Sequence, residues 1–147
     1  MKKLTASIRY VLGVFLLLMG ANKFFAFMPS PEMPAAATEF MTALLQSGYI
    51  MPMVGIVEIV SGILFLSSRT TPLANLILAP LSVNIILFHL VLAPADILPA
   101  LLVAAANVYL IIRYFEVYQP IFGVMKVHTE ESFDNKEALH RHLKVVS

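Results

Sequence analysis

Cysteine and tryptophan are both missing from this 147-residue chain, and charge is scarce, with 13% of residues Asp, Glu, Lys or Arg. Without cysteine the chain alone forms no disulfide, presents no thiol nucleophile and builds no thiolate metal site. It also lacks a Gly-rich phosphate loop, a nucleophile elbow and a zinc signature. Ten basic against nine acidic residues leave a net charge of +1 with no Lys/Arg cluster, which argues against a nucleic-acid surface. What fills the space left by charge is hydrocarbon. Hydrophobic residues make up 59% of the chain and mean hydropathy is +0.84, whereas soluble domains carry about 45–50% apolar and roughly 25% charged residues. That is more apolar material than one water-soluble core can hide, so a lipid bilayer is the expected surrounding.

Four apolar stretches approach the length of about 20 residues that crosses a hydrocarbon layer of roughly 30 Å. They are residues 5–28, 50–67, 73–93 and 97–115. Only helices or closed barrels cross lipid, because every backbone N–H and C=O needs a partner inside the structure. Barrel strands alternate apolar and polar residues, whereas residues 11–19 and 76–81 are nearly continuous apolar runs. The expected fold is therefore all-α, an integral membrane four-helix bundle. Residues 1–120 form the four-span membrane domain and residues 121–147 a cytoplasmic tail. The basic start resembles a signal peptide, but the apolar pattern resumes at Phe24, Phe25, Ala26 and Phe27, so retention as a span is expected.

Basic residues orient a multi-span protein, because they accumulate in cytoplasmic connections. Lys2, Lys3 and Arg9 precede the first span, Arg69 lies between the second and third, and Arg113 closes the fourth. Lys126, Lys136, Arg141 and Lys144 follow it, while the other connections carry Glu32, Glu39 and Asp96. Both termini are thus expected in the cytoplasm. Two shorter helices are expected outside the spans. Pro29, Pro31 and Pro34 break the chain after the first span. Residues 35–47 then form an amphipathic helix on the outer surface, with Phe40, Met41, Leu44 and Leu45 on one side and Gly48 as its stop. In the tail, Asp134 with Glu137 makes an N-terminal capping signature for a small cytoplasmic helix.

Polar side chains within the spans are the informative positions, since burying them in lipid is costly and they usually face a shared interior. They are Asn22 and Lys23 in the first span, Glu58 in the second, Asn75, Asn84 and His89 in the third, and Asn107 in the fourth. At about 1.5 Å of rise per residue, Lys23 and His89 lie roughly 6–8 Å below the outer boundary, and Glu58, Asn84 and Asn107 roughly 12–15 Å below it. A pocket opening outward is the expectation, lined by Lys23, Glu58, Asn84, His89, Asn107 and Asn22. Glu58 shares a helical face with Gly55 and Gly62, and small residues let a neighbouring helix approach closely. Beside Lys23 its carboxylate can stay ionised. For each residue a plainer role stands alongside: a Glu58 hydrogen bond that only fixes helix order, a Lys23 that snorkels to the headgroups, a His89 satisfied in the core, and an Asn107 that joins two helices. Asn84 and His89, five residues apart, lie about 140° apart on a regular helix and share an interior only if Pro80 bends it or the span is central. One histidine and one glutamate give no metal site.

Short motifs recur in order along all four spans: Asn22-Lys23-Phe24 after Gly20, Pro52 with Gly55, Glu58 and Gly62, Pro72-Leu73-Ala74, Pro80, Asn84, Phe88-His89-Leu90, and Asn107 with Tyr109. In this the chain resembles the DoxX family over roughly residues 5–120. The resemblance implies a four-helix membrane bundle. Some members of the family are subunits of a thiosulfate:quinone oxidoreductase and others associate with thiol-redox enzymes. By resemblance, then, the chain is an accessory subunit of a membrane redox system, with quinone as a possible ligand, a soluble or membrane redox partner, and Lys23 with Glu58 as a functional pair. The lack of cysteine puts direct thiol chemistry in doubt. From the residues alone, a small proton-coupled carrier using Glu58 and His89, and a structural protein without catalysis, stay open.

Overall fold

The computed structural model describes residues 2–29 and 32–120. Two compact units, Met1–Arg113 and Tyr114–Ser147, make up the chain. In the first, five α-helices follow one another: α1 (Lys2–Phe25), α2 (Ala35–Gln46), α3 (Ile50–Phe65), α4 (Thr71–Leu92) and α5 (Ile97–Arg113), with a 3₁₀ turn at Pro94–Asp96 leading into α5. Among the described residues there is no strand. In the second unit residues 115–120 are helical, and the tail helix expected from Asp134 onward lies outside the described residues.

The helix boundaries follow from local chemistry. Pro72 occupies the first turn of α4, where its missing N–H costs nothing. Pro80, inside α4, removes one donor from the helical ladder. Gly48, at φ +74°, takes the left-handed conformation that ends α2 and turns the chain into α3. The two helices meet at 90° across that turn.

Helices α1, α4 with its neighbour α5, and the 3₁₀ lead-in to α5 supply three segments long and apolar enough to cross a membrane. A fourth crossing arises if α2 and α3, a pair bent by 90°, together make one span. The protein is thus a membrane protein with several apolar helices, and its surroundings are lipid. Leu4, Val11, Val14, Leu18, Ile56, Ile63, Leu87, Val91 and Leu102 point outward, as expected where the solvent is hydrocarbon.

Helix α1 packs on α3, α3 on α4, α4 on α5, and α5 back on α1, so the four enclose an interior. Leu12, Leu16, Phe65, Leu78 and Leu110 fill it. The tightest contact is between α1 and α3. A Cβ on Gly62 would sit 2.8 Å from the Gly13 carbonyl and 3.1 Å from the Leu17 backbone nitrogen. A Cβ on Gly20 would sit 2.8 Å from the Gly55 carbonyl. Helices that gain no hydrophobic drive from lipid associate through such close backbone packing.

Helix α2 lies across the end of this group, where Ala37 is fully buried and the rings of Phe40 and Phe88 stand 5.9 Å apart. One expectation needs correction. Arg9, assigned from sequence to the flank preceding the first span, lies inside α1 and is only 6% exposed. The helix begins at Lys2, three residues earlier than hydropathy indicates, because helical structure continues through the charged start.

Gly62→Ala should destabilise the fold by about 1–3 kcal/mol, because two of the three atoms nearest the new methyl, the Gly13 carbonyl oxygen and the Leu17 nitrogen, are backbone and do not yield easily. Thermal unfolding in detergent checks this, and an unchanged midpoint would contradict the close α1–α3 approach.

Candidate functional site

Only two of the six candidate residues meet. Lys23 lies in the last turn of α1 and Glu58 in the middle of α3. The Lys23 ammonium donates to Glu58 Oε2 at 2.6 Å, with the side chains 18% and 5% exposed. Nζ also donates a longer bond, 3.5 Å, to the Met19 carbonyl one turn back on its own helix. The glycine contact sets this geometry: a Cβ on Gly55 would come within 3.3 Å of Lys23 Cβ, and one on Gly20 within 3.1 Å of Glu58 Cβ. With no side chain at Gly20 or Gly55, the helices come close enough for the pair to form directly.

An ammonium and a carboxylate taken out of water are costly unless they face each other with good geometry. At 2.6 Å this pair has that geometry. Its asymmetry matters chemically. Glu58 is enclosed, whereas Lys23 keeps some access and holds a third N–H beyond the two engaged donors. The arrangement can donate a hydrogen bond to a carbonyl or anionic oxygen arriving at Nζ, and Glu58 can hold or return a proton behind it.

The other four candidates do other things. Asn22 turns away from the pair: its Oδ1 accepts the Met28 backbone N–H at 2.7 Å and closes the chain reversal after α1, where Ala26 has φ 46°. His89 is half-buried, with Nδ1 2.8 Å from the Ile85 carbonyl and its ring edge-on to Phe88 at 5.1 Å. A carbonyl only accepts, so Nδ1 carries the proton in that bond. Asn84 is exposed on the side of α4 that also exposes Val83 and Leu87. The 140° between Asn84 and His89 is not absorbed by the Pro80 position, and only one of them turns inward.

Asn107 corrects the expected pocket most clearly. It donates through Nδ2 to Asn75, at 3.3 Å to Oδ1 and 3.4 Å to the backbone carbonyl, and both asparagines are buried. Asn75 lies four residues into α4, about 6 Å from its start at the end opposite α2. Counting inward along the fourth span put Asn107 near Glu58. Yet α5 has 17 residues, so ten residues of about 1.5 Å each already pass its midpoint. The interior therefore holds two polar levels, an ion pair toward α2 and an amide pair toward the other end.

Two further groups escaped the sequence reading. The Ser61 and Ser82 hydroxyls are buried without hydrogen-bond partners among the described residues. Ser61 follows Glu58 by three residues on the same inward face, a spacing that would have found it. Nothing in the neighbourhood of Ser82 singles it out. Among the described residues no group of three His, Cys, Asp or Glu side chains gathers.

Compared with known families, residues 4–90, more than half of the chain, match the sequence model described as DoxX. Neither a curated protein nor a solved structure matches. The matched stretch contains both Lys23 and Glu58.

Removing one member of the pair strands the other. Lys23→Met should cost about 3–5 kcal/mol, and Lys23→Met/Glu58→Leu together should recover most of it, because apolar replacement of a whole buried pair is often neutral. Thermal unfolding of the single and double variants reads this coupling. Simple additivity would mean that the two side chains do not interact.

Proposed function

The chain belongs to the DoxX family, and from that premise we propose that it is a four-span accessory subunit of a quinone-linked redox system in the cell membrane. In this reading α1, α3, α4 and α5 each cross the bilayer as a four-helix bundle, α2 lies on the outer surface, and both termini are cytoplasmic. The distribution of charge supports the orientation: Lys2, Lys3, Arg69 and Arg113 fall at one end of the helices, and Glu32, Glu39 and Asp96 at the other.

The observation that carries the functional reading is the Lys23–Glu58 pair, with Glu58 buried and the Lys23 side chain partly exposed. Sites for small lipophilic molecules combine hydrophobic walls with a few polar groups that fix orientation. A quinone offers a flat apolar ring and carbonyl oxygens. Lys23 donates to one such oxygen with its remaining N–H, while Glu58 keeps the ammonium charged and oriented. A bound quinone would supply the electron chemistry; this chain supplies the hydrogen bond, the fixed position and a water-poor setting. With no cysteine in the chain, any thiol chemistry belongs to a partner protein.

A proton-coupled carrier is the second reading. The Ser61 and Ser82 hydroxyls, unpartnered among the described residues, favour it, since they add polar positions to the interior beyond the ion pair. Uptake by proteoliposomes that disappears in Glu58→Gln would favour the carrier.

Titrating the detergent-purified protein with a short-chain quinone should show saturable binding that Lys23→Met weakens about tenfold, the value of one charge-assisted hydrogen bond of about 1.5 kcal/mol. If wild type and variant bind equally, or neither binds, the quinone reading falls. Orientation has its own check, made simple by the absence of native cysteine. A membrane-impermeant maleimide applied to intact cells should label Asp96→Cys and leave Arg69→Cys unlabelled; the reverse pattern would invert the topology.

A further inference from the structure

Among the described residues of the Met1–Arg113 unit, Arg9 is a buried cation without a counter-charge. Its side chain lies on the inward side of α1, on the helical stripe that continues through Leu12, Leu16 and Gly20, and is 6% exposed. Nε and Nη1 are covered and make no hydrogen bond. A guanidinium stays protonated at any physiological pH and has five N–H donors. Leaving such a charge desolvated and unpaired costs several kcal/mol. Within the Met1–Arg113 unit no acid answers it. Glu58 is held by Lys23 fourteen residues further along α1, about 21 Å away by helical rise. Glu32, Glu39 in α2, and Asp96 in the 3₁₀ turn lie toward the far end.

Three features say what the missing partner is. Arg9 lies seven residues into α1, about 10 Å along it. Helical side chains lean back toward the N-terminus, which brings the guanidinium to the depth of the lipid headgroups. One face of the guanidinium is stacked on the Tyr10 ring at 4.6 Å, and that ring is 48% exposed on the outer side of α1. The buried guanidinium therefore has one neighbour, Tyr10, that reaches the exposed side of α1. Lys2, exactly two turns earlier in heptad spacing and exposed, shares its helical side, and Lys3 stands beside it. Juxtamembrane cations attract anionic headgroups.

We propose that Arg9, with Tyr10 beneath it and Lys2 and Lys3 at its approach, is a binding site for an anionic phosphate group at the N-terminal end of α1. An acidic phospholipid headgroup is one source of that group and free phosphate the other. The guanidinium forms charge-assisted N–H···O bonds to the phosphate oxygens. Tyr10 holds its plane, and the lysines supply longer-range attraction. This site is separate from the Lys23–Glu58 pair and does not depend on the quinone reading.

The test is native mass spectrometry of the full chain, delipidated in detergent and then offered phosphatidylglycerol, phosphatidylcholine or inorganic phosphate. Wild type should retain phosphatidylglycerol in preference to phosphatidylcholine, and Arg9→Gln should lose about tenfold in retention, the value of one charge-assisted bond. Arg9→Lys should recover only part of it, since an ammonium lacks the planar fork. Should Arg9→Gln fold poorly, Tyr10→Leu keeps the charge, removes the ring stack and should weaken retention several-fold. Retention of inorganic phosphate that competes with the lipid identifies the soluble source and upholds the site. Equal retention of both lipids without phosphate binding, or Arg9→Gln and Tyr10→Leu variants that both match wild type, overturns it.

Discussion

Two helices approach here until a Cβ at Gly20 or Gly62 would meet the opposite carbonyl oxygen at 2.8 Å, and the positions of the interior charges follow from that approach. Gly13 faces Gly62 and Gly20 faces Gly55, seven residues apart on each helix. Because the two contacts share one spacing, they lock the register of α1 against α3, and a slip by one residue would drive a side chain into backbone. Once the register is fixed, the Lys23 ammonium has one carboxylate within reach. In lipid this matters more than in water, since no solvent stands ready to hydrate a charge that misses its partner. The ion pair and the glycine contact are therefore one device, with packing supplying the geometry that electrostatics needs.

The rest of the interior is organised by level. Toward α2 the polar content is ionic; toward the other end it is the amide pair Asn75–Asn107, joining α4 to α5. Between them lie apolar residues and two lone hydroxyls, Ser61 and Ser82. Interhelical amide bonds of this kind contribute modestly, about 0.6 kcal/mol on average in membrane proteins, because the separated helices also find partners. Their main effect is on order and rotation of helices. The ionic level differs in carrying charge, and its Lys23 side chain is partly exposed.

Helices were legible because hydropathy and proline placement speak directly about backbone: α1, α4 and α5 fall within a few residues of the apolar runs, and α2 ends at the glycine that marks its stop. The Lys23–Glu58 pair was legible too, since glycine spacing around Glu58 names the face and residue counts give the depth. What residue counting leaves out is azimuth. Asn84 lies at a suitable depth but on the wrong side of α4, and nothing local signals this. Asn107 illustrates a second gap, for its depth depends on where α5 begins relative to its neighbours. Arg9 was treated as a flanking charge because basic residues near a span end usually are, yet its side of the helix is the buried one.

Helix α3 is short. Its 16 residues make about 24 Å of helix, set against a hydrocarbon layer of roughly 30 Å. The right-angled turn at Gly48 prevents α2 from lengthening it along the same axis. On the four-span reading proposed above, lipids beside α3 compress, or headgroups and water dip toward Lys23 from the α2 end. Either response has a modest energetic cost per ångström of mismatch. On that same reading membrane thickness becomes a variable for this protein: a thinner, less ordered bilayer suits α3, while a thick one strains the region around the ion pair.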